Sequence, residues 1–104
     1  MPSYALLFKG GLPQSQLTKE YSDRFTEWAR KVAANEAPML RLKQEGRIVS
    51  ATGFGDLKFD KDTVGGYIIV EADDYDKTIA IAKGCPILEN NGSVEIREIM
   101  VLSN

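Results

Sequence analysis

Residues 66–72 read GYIIVEA, β-branched or aromatic almost throughout and thus the strongest strand signal in the chain. As a strand the segment sets Tyr67, Ile69 and Glu71 on one side and Ile68, Val70 and Ala72 on the other, so both sides are largely apolar. Residues 4–9 (YALLFK) behave alike, with Tyr4, Leu6 and Phe8 against Ala5, Leu7 and Lys9, and they stop at Gly10-Gly11. Strands that are oily on both sides require cover on both faces of their sheet. The rest of the chain must supply that cover, or a partner must.

Only two helices are on offer. After a loop at Leu12-Pro13-Gln14, with Ser15 as the expected N-cap, Leu17, Tyr21, Phe25, Trp28 and Val32 recur at spacings of 4, 4, 3 and 4. That is the apolar stripe of an amphipathic helix. Glu20 with Arg24 and Glu27 with Lys31 form acid-first i,i+4 pairs on its outer face. A second helix is expected behind a cap at Asp73 or Asp74, with Tyr75, Ile79 and Ala82 on one face, Gly84 ending it and Pro86 preventing its continuation.

Between the helices, Pro38 either kinks the first helix or opens a short successor through Met39, Leu40 and Leu42, stopped by Gly46. Residues 47–54 (RIVSATGF) read as a second strand, residues 55–64 as a polar connection or irregular hairpin, and residues 93–102 (SVEIREIMVL) as the last strand. The order strand, helix, strand, strand, helix, strand predicts an α+β fold. It is the ferredoxin-like βαββαβ arrangement, a four-stranded antiparallel sheet with both helices on one face. Its other face would stay bare and apolar, which soluble monomers rarely tolerate. A homodimer that stacks sheet on sheet is therefore expected.

The 104 residues fit one domain, and a net charge of −2 argues against duplex nucleic acid or an anionic membrane as the main partner. The chain has no histidine, which removes the commonest neutral-pH general base and the imidazole ligands of most catalytic zinc sites. Cys85 is the only cysteine, so an internal disulfide is impossible and a reducing compartment is the expectation. Met1-Pro2-Ser3 leads straight into the first strand with no basic segment or long apolar run, so no leader or membrane span is expected and a cytoplasmic setting is the default.

Several short motifs dissolve on inspection. Gly53-Phe54-Gly55 begins like a dinucleotide fingerprint, but Lys58 takes the third glycine position. Asp60, Asp62, Gly65 and Glu71 mimic the spacing of a calcium loop, but Val64 interrupts it and Glu71 lies in a strand. Asp73, Asp74 and Asp76 suit a helix N-terminus, and Cys85 suits a small packed side chain. The third strand has one aromatic and no nearby basic residue, which speaks against the RNA-recognition module. No metal or cofactor is expected.

Residues 65–99 resemble the YCII-related family, in particular its DGPF branch. The matching pieces are Gly65-Gly66-Tyr67 opening a strand, the acidic helix start at Asp73-Asp74, Cys85-Pro86 after that helix, and Gly92 leading to Val94-Glu95-Ile96-Arg97. The resemblance implies a ferredoxin-like fold that dimerises into an α+β barrel. It carries over no catalytic residue. The histidine of the His-Asp pair proposed for the YCII branch is missing, and the branch-naming motif is replaced by Gly55-Asp56-Leu57-Lys58-Phe59-Asp60.

One constellation remains as a candidate ligand site. Tyr67 and Glu71 share a face of the third strand, and Glu95 and Arg97 share a face of the fourth. Turned toward a dimer interior, they would offer carboxylates, a guanidinium and a phenol for a small organic ligand held between sheet and helices. Any chemistry there would be cofactor-free proton transfer or isomerisation by Glu71 or Glu95. The bland alternatives are an ion pair of Arg97 with Glu95 or Glu71, and a dimerisation or regulatory module with no turnover.

Overall fold

A computed structural model describes residues 1–36 and 39–101 of the chain. In chain order the elements are β1 (Ser3–Lys9), α1 (Lys19–Val32), β2 (Leu40–Arg41), β3 (Arg47–Ser50), β4 (Gly53–Asp56), β5 (Val64–Glu71), α2 (Tyr75–Ala82) and β6 (Ser93–Glu98). Short 3-10 segments occupy Gln14–Gln16, Ala34–Glu36, which is kinked at Asn35, and Pro86–Asn90. The fold is α+β. Its main sheet has the order β2-β5-β1-β6, antiparallel throughout, and β3 pairs only with β4 in a separate two-stranded sheet.

Burial alternates along β1 and, from Gly66 onward, along β5. Tyr4, Leu6 and Phe8 of β1 and Ile68 and Val70 of β5 are sealed from solvent, while their neighbours Ala5, Leu7, Tyr67 and Ile69 are only half-buried. The rings of Phe25 and Trp28 from α1 meet Phe8 edge-on at 5.0 and 5.9 Å, and Tyr75 of α2 meets Tyr4 at 4.9 Å. Because Tyr4 and Phe8 point to the same side of β1, both helices cover one face. Each large side chain buried there contributes roughly 1.5–3 kcal/mol relative to exposure. Neither helix packs on the opposite face.

Several sequence expectations need correction. The first helix is capped by Thr18, whose Oγ1 accepts the Tyr21 N–H at 3.1 Å, and Ser15 lies in the preceding 3-10 turn. Leu17 packs on the core from extended backbone just before the cap, so it kept the helical spacing without being helical. Met39, Leu40 and Leu42 form no helix. Leu40 and Arg41 pair with Tyr67 and Gly66 at the sheet edge, and the Leu42 N–H donates to the Gly65 carbonyl at 2.9 Å. Edge pairing with a strong strand overrides local helical propensity here. The roles expected of Pro38 lie outside the described residues, whereas the expected run of the last strand to residue 102 is overturned, because residues 99–101 are not strand.

Residues 47–54 are not one strand of the main sheet. They turn at residues 51 and 52 into the β3–β4 hairpin, where Val49 faces Phe54 with both side chains 80% exposed. Gly53, at φ +151°, supplies a backbone conformation that other residues rarely adopt, and alternation alone does not register such a turn. On α2 the cap is Asp74, accepting from the Lys77 N–H at 2.8 Å. Its buried residues are Thr78 and Ala82, while Tyr75 and Ile79 are partly exposed. Tyr75 leans to the sheet end, where its hydroxyl accepts the Glu98 N–H at 2.9 Å. The last strand stops at Glu98.

Candidate functional site

The two faces of the main sheet offer two different sites. On the covered face, β1 ends at Gly10 and Gly11, whose φ values of +70° and +85° turn the chain away sharply. That departure leaves space between the sheet end, α1 and residues 39–44. The resulting cavity has a volume of about 360 Å³. Phe8 and Gly65 line it from the sheet, Leu17, Tyr21 and Phe25 from the helix side, and Met39 and Arg41 from the edge strand.

Gln44 holds the mouth together. Its Oε1 accepts the Gln14 N–H at 2.8 Å and its Nε2 donates to the Leu12 carbonyl at 3.0 Å, tying the loop after β1 to the segment after β2. Arg41 alternates with Leu40 and so turns to the covered face, where its guanidinium stands 5.5 Å from the centre of the Phe25 ring. Lys43 also lines the cavity, and no carboxylate does. Burial pushes the Tyr21 hydroxyl above its ordinary range, against the opposing pull of a hydrogen bond with Asn90. At neutral pH it is a neutral polar group, suited to hydrogen bonding and poor as a base.

Tyr67, Glu71, Glu95 and Arg97 all lie on the other, uncovered face and line none of this cavity. Register places Tyr67 and Glu95 on either side of Leu7, Arg97 one row along beside Ala5, and Glu71 opposite Ser3. The ion pair considered for Arg97 is not formed. Glu95 Oε1 lies 3.3 Å from Lys9 Nζ, and Glu71 Oε1 accepts from Asn35 Nδ2 at 3.2 Å. Among the described residues no salt bridge reaches Arg97. Leu40, Tyr67, Leu7, Ile69 and Ala5 form the apolar middle of this face, and charges rim it.

The remaining sequence motifs are structural. Asp60 Oδ1 accepts from the Asp62 N–H at 2.8 Å and from Thr63 Oγ1 at 3.1 Å, so a turn holds its carboxyl below the usual range. Among the described residues no three Asp, Glu, Cys or His side chains converge as a metal site, and no helix is long and apolar enough to cross a membrane. Cys85 is buried in the core, and burial pushes its thiol up to about 12.

The sequence reading expected a ligand between sheet and helices but named for it none of the residues that line this cavity. The cavity's signals were the glycine pairs Gly10-Gly11 and Gly65-Gly66 at one end of the two central strands, and the single-residue alternation of Leu40 with Arg41. Against known proteins, residues 16–103 match the YCII-related domain, and none of the curated proteins matches the chain.

Proposed function

The chain belongs to the YCII-related family, and from that premise and the unequal faces of its sheet we infer that it is a homodimeric protein that binds a small organic ligand in the cavity between sheet and helices. The cavity carries the ligand reading. At about 360 Å³ it lies at the small end of the range usual for small-molecule sites, with apolar walls and a few polar groups. The chain has no histidine and the cavity no carboxylate, which favours binding over general-base turnover.

The dimer reading rests on the uncovered face. A ferredoxin-like topology is supported by the order β2-β5-β1-β6, with the β3–β4 hairpin as an insertion. In that topology the Leu40, Tyr67, Leu7, Ile69 stripe has no helix of its own chain to cover it. The rim carries both signs, Glu71 and Glu95 with Arg97 and Lys9, so the patch is complementary to itself across a two-fold axis. Stacked in this way, two copies form a dimeric α+β barrel. Membership of the DGPF branch is supported by Gly65-Gly66-Tyr67 and Cys85-Pro86, and a reducing, cytoplasmic setting by the single buried thiol.

A second reading keeps the ligand on the uncovered face. Dimerisation would close a space over Tyr67, Glu71, Glu95 and Arg97 in which a desolvated Glu71 or Glu95 moves a proton. Melting-temperature shifts across a metabolite panel separate the two. With the ligand in the cavity, Met39→Trp abolishes the shift, whereas Glu71→Gln with Arg97→Ala leaves it. The reverse pattern moves the ligand to the interface and overturns the cavity reading.

A further inference from the structure

The chemistry of the cavity lining narrows its ligand. Every charged side chain that lines it is cationic, Arg41 and Lys43, although the chain as a whole carries a net charge of −2. Among the described residues neither cation is held in a salt bridge. The other walls are of another kind. Phe8, Tyr21, Phe25 and Phe59 present four aromatic rings, with Leu17 and Ile87 beside them.

Arg41 joins the two regions. It leaves the exposed edge strand, crosses over the Phe25 ring at 5.5 Å, and so carries a planar fork of donors across an aromatic wall. The Gln44 bridge fixes the loops on either side. Such an arrangement matches a flat apolar body inside and one anionic head at the mouth.

We propose that the cavity binds an aromatic carboxylate, its ring among Phe8, Phe25 and Phe59 and its carboxylate on Arg41, with Lys43 adding charge at the rim. The proposal rests on the cavity reading above and specifies its ligand class. Bidentate pairing with the guanidinium supplies discrimination against neutral analogues, and the aromatic walls discriminate against small inorganic anions.

The test uses the full-length protein and matched probes, namely benzoate, phenylacetate and cinnamate, their primary amides, and inorganic phosphate, titrated calorimetrically at low and high salt. At least one acid should bind on the order of tenfold more tightly than its own amide, with added salt narrowing the gap. Phosphate alone should give no comparable signal. In Arg41→Gln the acid should fall to the affinity of its amide while the amide itself is unaffected. Equal binding of acid and amide in the wild-type protein, a preference that survives Arg41→Gln, or phosphate binding as well as the acids would overturn the proposal and leave the cavity reading standing. If neither acids nor amides bind, the proposal and the cavity reading fall together.

Discussion

Leu40 and Arg41 are adjacent and face opposite ways, one onto the uncovered face and one over Phe25. Individual residues of this kind decide where the chemistry lies. Cys85 illustrates the inert extreme. Burial holds its thiol up to about 12, so at pH 8 almost no thiolate exists in the folded protein. Iodoacetamide should leave the native protein unlabelled at that pH and label it rapidly in denaturant; fast native labelling would contradict the packing described. The opposite shift occurs at Glu89, which Arg24 grips through two bonds of 2.9 Å and holds below the usual carboxylate range. The folded state then binds that proton less readily than the unfolded chain. The contribution is present above the ordinary glutamate range and fades as pH falls through the lowered value. Both partners are about half exposed, which keeps the effect small. In urea titrations Glu89→Gln should cost stability near pH 7, with a deficit that shrinks on acidification. A deficit that grew in acid would reverse the assignment.

At the scale of elements, caps and close approaches set the boundaries. Thr18→Ala removes the bond that starts α1 and should cost about 1 kcal/mol in urea denaturation. Ser15→Ala should cost nothing measurable, the reverse of what the sequence expectation required. Gly66 is tighter still. An added Cβ would press directly on the Leu40 carbonyl, so Gly66→Ala must push β2 off the sheet edge, at roughly 1–3 kcal/mol. Gly55→Ala, with nothing within 4 Å of its Cβ position, should be tolerated. Equal effects of the two substitutions would refute this placement of β2. Legibility in the sequence follows the same division. β1, α1, β5 and α2 were readable because each carries its own period and stop signals. The edge strand was not, because two residues have no period and depend on a partner elsewhere in the chain. The hairpin was hidden for a related reason, since a two-residue turn inside an alternating run leaves the alternation almost intact. Strand parity alone paired Tyr67 with Glu71 and Glu95 with Arg97, and only the register of β5 and β6 on β1 puts the two pairs on one face. Parity says nothing of cavities, which arise where loops leave the sheet.

For the molecule as a whole, the two faces of one sheet differ in cover and in chemistry. The covered face holds the core and, at its end, the cationic cavity. The uncovered face has an apolar middle and a rim of both charge signs, the surface proposed above to meet a second copy. Leu7 lies between Tyr67 and Glu95 on that face, away from the cavity. Leu7→Lys should therefore dissociate the protein while its circular dichroism stays that of the wild type. Sedimentation equilibrium at micromolar concentration tests the claim most directly. The wild-type protein should sediment at twice the 11.5 kDa chain mass and Leu7→Lys at the single-chain mass. A wild-type protein that sediments as one chain, or a Leu7→Lys variant that stays paired, would contradict it.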